Sequence, residues 1–223
     1  MSGKKYKAFI FDCDGTALNT NPAILNAWRL TVASFNKDVN LSEADISAYF
    51  GYSVPEACEG LVNRFAKDPE SMSIDDIVDT YWSNHLGHPE LMFEYPGLKD
   101  ALREMKARGA KIMMVTSGRH NVVKHELEVF GMIDLFDVII GEEDSPKLKP
   151  NPDPAFLACR LAGVEPEDTL FVGDSPSDCS SGHRAGMDVC CVPWTICEKS
   201  KFVGDSIPNI VISKASDLVD MCI

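Results

Sequence analysis

Five short apolar runs, each ending in a turn, constrain the fold of this chain more than any other feature. They are Ala8–Phe11, Ile112–Val115, Val138–Ile140, Leu170–Val172 and Val189–Val192. Apolar runs this short, closed by glycine, proline or polar residues, are typical of buried strands in a parallel sheet.

Helical patterns lie between the later runs. Leu98, Ala101, Leu102 and Met105 repeat with helical spacing before Gly109, and Val123, Leu127 and Phe130 do so before Gly131. Strands that alternate with helices predict an α/β fold, an open parallel sheet with helices on both faces.

Residues 18–94 interrupt this alternation. They carry helix signals at 23–35, 42–50, 54–65 and 74–85 and no clear strand, and Pro96-Gly97 marks the return to the sheet. We therefore predict a catalytic core of residues 1–17 and 95–223 and an inserted helical domain of residues 18–94.

Composition narrows the classes of function. A chain of 223 residues, 45% of them hydrophobic, can bury one large core and a smaller one, and a net charge of −13 argues against nucleic acid or an anionic membrane as partner. No apolar run approaches the ~20 residues of a membrane span, and no signal peptide is evident. Eight scattered cysteines without metal-site spacing favour reduced thiols and predict a cytoplasmic protein.

Polar side chains follow four of the five runs at the point where each strand ends. Asp12 and Asp14 follow the first run, and Thr116 and Ser117 follow the second. Lys149 lies in the loop after the third run, and Asp174 and Asp178 follow the fourth. Because ligands bind beyond the carboxyl ends of parallel strands, these groups should converge on one rim.

The residue types suit phosphoryl transfer. Several carboxylates at one site resist ionising together unless a cation is present, and hard oxygen ligands favour Mg²⁺. Lys149 supplies positive charge, the hydroxyls of Thr116 and Ser117 donate hydrogen bonds, and the amides of Cys13, Asp14 and Gly118 can bind phosphate oxygens.

Each signal also has an ordinary alternative when taken alone. Thr116-Ser117 could cap a helix before Arg119, Lys149 could be a solvated loop lysine beside Lys147, and Asp174 and Asp178 could cap a helix that begins near Ser177. Joint occurrence in order, each group after its own strand, favours the functional interpretation.

These residues resemble the motifs of the haloacid dehalogenase superfamily of phosphohydrolases, over nearly the whole chain. The matching segments are Asp12–Thr16, Thr116-Ser117, Lys149-Pro150 and Gly173–Asp178. The resemblance implies a three-layer Rossmann-like core. The helical insertion is similar to the small cap of the phosphoglycolate phosphatase and β-phosphoglucomutase branch.

By this resemblance Asp12 is the nucleophile of an Mg²⁺-dependent phosphatase. The metal would be held by Asp12, the carbonyl of Asp14 and Asp174, while Asp14 would serve as general acid and then base. Thr116, Ser117, Gly118 and Lys149 would bind the phosphoryl group, and Asp178 would orient Lys149 or a metal-bound water. The implied partner is a small phosphate ester, and the implied assembly a monomer or weak homodimer.

The sequence departs from the family pattern at two points, Ala17 and Asn19, where relatives commonly carry an apolar residue and an aspartate. Asp14 argues against a dehalogenase, whereas a sugar phosphomutase uses the same aspartates and stays an alternative. A non-catalytic binding module on this fold is the alternative from a different class.

Substrate choice should depend on the helical insertion. Gly51, Tyr52 and Ser53 resemble the family's substrate-specificity loop, although an ordinary turn between helices explains them equally well. Arg64 could bind a second anionic group of the substrate or form a surface salt bridge. Cys13 is interpreted as a small space-filling residue.

Overall fold

The computed structural model describes residues 3–49 and 52–223. Its strands are β1 (Ala8–Phe11), β2 (Leu18–Asn19), β3 (Phe93–Glu94), β4 (Lys111–Val115), β5 (Val138–Ile140), β6 (Thr169–Gly173), β7 (Asp188–Cys191) and β8 (Ile210–Val211). Six of them form one sheet in the order β5-β4-β1-β6-β7-β8, and every pair is parallel. β2 and β3 form a separate two-stranded sheet.

Eight α-helices occur in the described residues. They are α1 (Asn21–Phe35), α2 (Glu43–Ser47), α3 (Val54–Phe65), α4 (Ile74–Leu86), α5 (Leu98–Ala107), α6 (His120–Val129), α7 (Asp153–Ala162) and α8 (Pro176–Arg184). Short 3-10 turns connect several of them, and the chain closes on a longer 3-10 segment, Ala215–Met221. Among the described residues no helix is both long and apolar enough to cross a membrane.

Strand β1 lies at the centre of two buried cores. Because successive side chains of a strand point to opposite faces, Phe9 and Phe11 enter one core while Ala8 and Ile10 enter the other. The first core also contains apolar residues of α5 and α6, and the second contains those of α7 and α8. The predicted three-layer α/β fold is therefore confirmed.

The chain divides into two compact units, one of Met1–Asn19 with Glu94–Ile223 and one of Thr20–Phe93. The second unit is helical and has an aromatic centre of its own. In that centre Trp28 packs on Tyr81 with ring centroids 4.0 Å apart, and Trp82 and His85 are buried around them.

Local differences from the sequence prediction concern element ends and three short strands. β2, β3 and β8 were not predicted, because strands of two residues leave no distinctive apolar run. β2 and β3 lie at the two ends of residues 18–94, where no clear strand was expected. α1 begins two residues before the predicted Ala23, and α2 ends at Ser47. The predicted end of α2, Phe50, lies outside the described residues.

Candidate active site

Lys149 connects two of the predicted site carboxylates. Its Nζ donates to Asp12 Oδ1 at 2.5 Å, to Asp178 Oδ1 at 2.7 Å and to the carbonyl of Val115 at 3.2 Å. The three charged side chains are buried. Asp12 lies at the end of β1, Val115 at the end of β4 and Asp178 on α8, so the lysine joins three elements at one rim.

The geometry also separates Lys149 from its neighbour Lys147. Lys147 is exposed, whereas the side chain of Lys149 is only 5% exposed. Burial acts to lower the pKa of Lys149, but the charges of Asp12 and Asp178 outweigh it and raise that pKa above its ordinary value. Lys149 therefore remains a cation within the site.

Three carboxylates form the acidic part of the site. One oxygen each of Asp12, Asp174 and Asp178 lies within 4.8 Å of the others. Burial and the charge of Asp178 raise the pKa of Asp12 to about 7, and burial together with the same charge raises the pKa of Asp174 well above its ordinary value. A divalent cation would relieve this repulsion, and a set of hard oxygen donors fits one.

Glycines allow the backbone to approach these carboxylates. Gly15 has φ +78°, and a Cβ there would stand 2.6 Å from Asp174 Oδ2. A Cβ on Gly173 would stand 2.4 Å from that of Asp178. Side chains at either position would displace a site carboxylate.

Asp178 serves α8 and the site at once. Its Oδ2 accepts from the amide of Ser175 at 3.0 Å and from the Ser175 hydroxyl at 2.6 Å, while the Ser175 hydroxyl accepts from the amide of Asp178. This capping box starts the helix at Pro176, one residue before the predicted Ser177. The capping interpretation of Asp178 and its place beside Lys149 are thus both realised, because its two oxygens face different partners.

The segment Thr116–Gly118 forms a tight turn after β4. Thr116 is buried, and its Oγ1 accepts from the amide of Gly118 at 3.0 Å. That amide, which the sequence assigned to phosphate, is thus engaged within the turn. A Cβ on Gly118 would lie 3.9 Å from Asp14 Oδ2, so the turn lies next to Asp14. Ser117, between Thr116 and Gly118 in the chain, is half-buried.

Thr116 and Ser117 do not cap a helix, so that alternative is wrong. α6 begins at His120, and the side chain of its N-cap residue, Arg119, makes no capping hydrogen bond. The amide of His120 donates instead to Glu143 Oε2 at 2.9 Å.

Asp14 faces a second, separate group. One ligand atom each of Cys13, Asp14 and Glu126 lies within 4.8 Å of the others, and the Cys13 thiol donates to Glu126 Oε2 at 4.0 Å. Cys13 is fully buried, and burial with the charges of Asp14 and Glu126 raises the pKa of its thiol well above the ordinary value. The thiol therefore stays protonated and is a poor nucleophile.

Glu126 was missed by sequence reasoning. It is 3% exposed on the buried face of α6, between Val123 and Leu127. A carboxylate inside the apolar stripe of a helix was the signal that could have identified it.

The predicted loop of the helical unit is described only in part, because Gly51 lies outside the described residues. Tyr52 is exposed, and the Ser53 hydroxyl accepts from the amide of Glu56 as the N-cap of α3. Arg64 forms a surface ion pair with Asp45 at 2.6 Å, which is the second of its two predicted uses.

Buried carboxylates and a buried lysine thus lie together at the carboxyl ends of the central strands of a parallel sheet, the place where α/β enzymes bind their ligands. Residues 9–192 match the family described as haloacid dehalogenase-like hydrolase. The chain belongs to that family, and the predicted resemblance is confirmed.

Relatives agree with this assignment. The pyrophosphatase PpaX of Bacillus cereus is 30% identical over 216 residues, covering 96% of this chain and 95% of the relative. A predicted phosphoglycolate phosphatase from Haemophilus somnus is similar in structure, with a TM-score of 0.77, 25% identity and 99% of both chains covered. The β-phosphoglucomutase of Clostridium difficile has a TM-score of 0.78 at 18% identity, covering 96% of this chain and 93% of the other, which shows the fold alone.

Proposed function

We propose that the chain is an Mg²⁺-dependent phosphatase that hydrolyses a small phosphate ester through an aspartyl-phosphate on Asp12. The observation that carries this proposal is the contact of Lys149 with Asp12 and Asp178 at the edge of a three-carboxylate cluster. Phosphoryl transfer depends mainly on positioning and on neutralisation of charge, and this arrangement can supply both.

The residues support a two-step reaction. A carboxylate oxygen of Asp12 bonds to phosphorus while the bond from phosphorus to the leaving oxygen breaks, and Asp14 gives that oxygen its proton. Asp14 then takes a proton from water, whose oxygen attacks phosphorus and releases phosphate and the Asp12 carboxylate. Lys149 and Thr116 hold the phosphoryl oxygens throughout.

Mg²⁺ would be held by Asp12, the carbonyl of Asp14 and Asp174, where it would neutralise the negative charge shared by these groups and the phosphate. Asp178 fits a supporting role, because both of its oxygens already accept hydrogen bonds from protein groups. It would orient Lys149.

Names of the relatives suggest pyrophosphate and 2-phosphoglycolate as the first substrates to try. The helical unit, Thr20–Phe93, is proposed to act as a cap that sets substrate choice, with Tyr52 and Ser53 as candidate determinants. Monomer or weak homodimer, and a cytoplasmic location, stay predictions; light scattering of the purified protein measures the first.

The test is a screen of small phosphate esters and pyrophosphate with Mg²⁺ and with EDTA. Asp12→Asn and Asp14→Asn should each lower kcat at least about 10³-fold, since one removes the nucleophile and the other the acid. Asp100→Asn, on an exposed position of α5, is the matched control and should leave kcat unchanged. Full turnover in Asp12→Asn refutes the mechanism, and isomerisation of a sugar phosphate without phosphate release indicates a mutase instead.

A further inference from the structure

The loop after β7 contacts the loop that carries one of the proposed metal ligands. The hydroxyl of Thr195 donates to the backbone carbonyl of Asp174 at 2.6 Å. Asp174 is the first residue after β6, and β6 pairs with β7 through Gly173 and Cys191 at their carboxyl ends. Thr195 therefore reaches Asp174 from the neighbouring strand, and the mechanism proposed above does not use it.

A second hydrogen bond fixes the direction of the first. The amide of Cys197 donates to Thr195 Oγ1 at 2.9 Å, so the hydroxyl accepts on that side. Its single proton is then left for the carbonyl of Asp174, which can only accept. A hydroxyl that binds the amide two residues later forms a local turn, and here that turn holds the Thr195 hydroxyl against Asp174.

The carboxylate of Asp174 has little support from other side chains. Within the described residues a single hydrogen bond reaches it, from Thr16 Oγ1 to Oδ1 at 3.4 Å, which is long for a hydroxyl donor. The backbone is held more closely. The carbonyl of Gly173 accepts from the amide of Val192 at 3.0 Å, and the carbonyl of Asp174 accepts from Thr195. The place of the carboxylate therefore depends mainly on its backbone.

An aromatic stack anchors the loop that carries Thr195. Trp194 stacks on Tyr95, with ring centroids 4.7 Å apart and 22° between the planes. Trp194 also packs against the buried core that contains Val192. Packing therefore fixes the chain just before Thr195, and a group that orients another must itself be held in this way.

We propose that Thr195 is a positioning residue for the metal site, which holds the backbone of Asp174 so that its carboxylate stays beside that of Asp12. Groups that orient metal ligands from behind typically change metal affinity by roughly 10- to 100-fold when they are removed. The inference rests on the proposed function for the identity of the metal ligand, and it adds a residue that acts only through Asp174.

Thr195→Val removes the hydroxyl and nearly keeps the shape of the side chain. In calorimetric titrations with Mg²⁺ at pH 8 it should bind the ion about ten-fold more weakly than the wild type does. In turnover, the Mg²⁺ concentration that gives half the maximal rate should rise by the same factor. The kcat at saturating Mg²⁺ should change less than about two-fold, since Asp12 and Asp14 are intact.

Two further variants test whether the hydroxyl is responsible. Thr195→Ser keeps it and should restore the Mg²⁺ affinity to within about two-fold of that of the wild type. Thr195→Ala removes it without adding the second methyl group of valine, and should weaken Mg²⁺ binding as Thr195→Val does.

Thr169→Val is the matched control. Thr169 Oγ1 donates to the carbonyl of Glu165 at 2.8 Å, which is the same kind of bond at the opposite end of β6. This variant should lower the melting temperature and leave the Mg²⁺ affinity unchanged. Wild-type Mg²⁺ affinity in Thr195→Val and Thr195→Ala, or an equal loss in Thr195→Ser or in Thr169→Val, overturns the inference.

Metal binding and turnover separate this inference from the proposed function. A wild type that binds Mg²⁺ but hydrolyses none of the phosphate compounds refutes the phosphatase, while the comparison of Mg²⁺ affinities still tests Thr195. A wild type that binds no Mg²⁺ overturns the inference, since Thr195 would then have no metal ligand to position.

Discussion

Burying the charges of Asp12 and Asp178 costs free energy, and the contacts of both carboxylates with Lys149 offset that cost. A buried charge is tolerated only when it is paired and hydrogen-bonded, and Lys149 provides both to each carboxylate. The sequence identified this lysine through its place after β5 and the proline that follows it. The sequence could not show that Lys149 is buried and Lys147 exposed, since both lysines lie in one loop and only packing buries one of them.

Lys149→Met should lower both stability and activity. It leaves two buried carboxylates without a counter-charge, so the free energy of unfolding should fall by about 3 kcal/mol at pH 8. The kcat should fall at least about 10²-fold, because a fixed cation at the phosphoryl group is lost. Urea unfolding and turnover measure these effects. Lys147→Met, at the exposed lysine, should change neither; the reverse pattern would assign the site to Lys147.

The ionisation of Asp12 predicts pH-dependent metal binding. Burial and the charge of Asp178 raise the pKa of Asp12 to about 7 from the ordinary 3.8. As pH rises between these values the unfolded carboxyl ionises first, so the metal-free protein loses stability. Mg²⁺ competes with the proton below pH 7, and its apparent affinity should fall about ten-fold per pH unit there.

Mg²⁺ titrations by calorimetry at pH 5.5 and 8 measure this change. Unfolding in urea adds a readout independent of turnover, since Mg²⁺ should raise the free energy of unfolding more at pH 8. Asp12→Asn, which cannot titrate, should show a weaker pH dependence. Equal Mg²⁺ affinity at both pH values in the wild type would contradict the raised pKa.

The N-terminal end of α8 positions one of the carboxylates of the site. α8 begins with the Ser175–Asp178 capping box, so the bonds that start the helix also fix the carboxylate that contacts Lys149. The sequence suggested Asp178 both as a helix cap and as a site residue, but only the structure identifies Ser175 as its partner in the capping box. β2, β3 and β8 escaped prediction, since strand pairing depends on neighbours distant in sequence. The Tyr95–Trp194 stack joins residues about a hundred positions apart for the same reason.

Removing the cap hydroxyl should separate folding from function. Ser175→Ala loses the bond to Asp178 Oδ2 and should lower the free energy of unfolding by about 1 kcal/mol. It should also lower kcat about ten-fold, because a supporting partner of the site is lost. Ser42→Ala removes the same kind of box, Ser42–Asp45, from α2 and should lower stability alone. Equal kcat in the two variants would show that the cap of α8 has no part in the reaction.

Across the whole molecule, the residues proposed for phosphoryl transfer and the helices proposed as a cap belong to different units. The residues proposed for phosphoryl transfer all lie in the unit of Met1–Asn19 and Glu94–Ile223. Sequence reasoning works well for this unit, because parallel strands bring their carboxyl ends together whatever the connecting segments contain. It works less well for functional residues in Thr20–Phe93, because helices pack by shape. No general rule comparable to that for parallel strands says where Tyr52 and Ser53 should lie.

The distribution of thiols gives a prediction for the molecule as a whole. Of the eight cysteines, all free, seven are buried and Cys197 is half-buried. Burial raises the pKa of Cys58, Cys190 and Cys191 to about 12, so these thiols are protonated as well as shielded at pH 8. Reaction with a thiol reagent requires an accessible thiolate.

The native protein at pH 8 should therefore release about one equivalent of thionitrobenzoate from an aromatic disulfide reagent, and the unfolded protein about eight, without prior reduction. Cys197→Ser should abolish the native reaction and lower the unfolded count by one. Fewer than seven equivalents from that unfolded variant would reveal a disulfide. A rapid native reaction in Cys197→Ser would mean that one of the buried cores opens to solvent, since every remaining cysteine lies inside the fold.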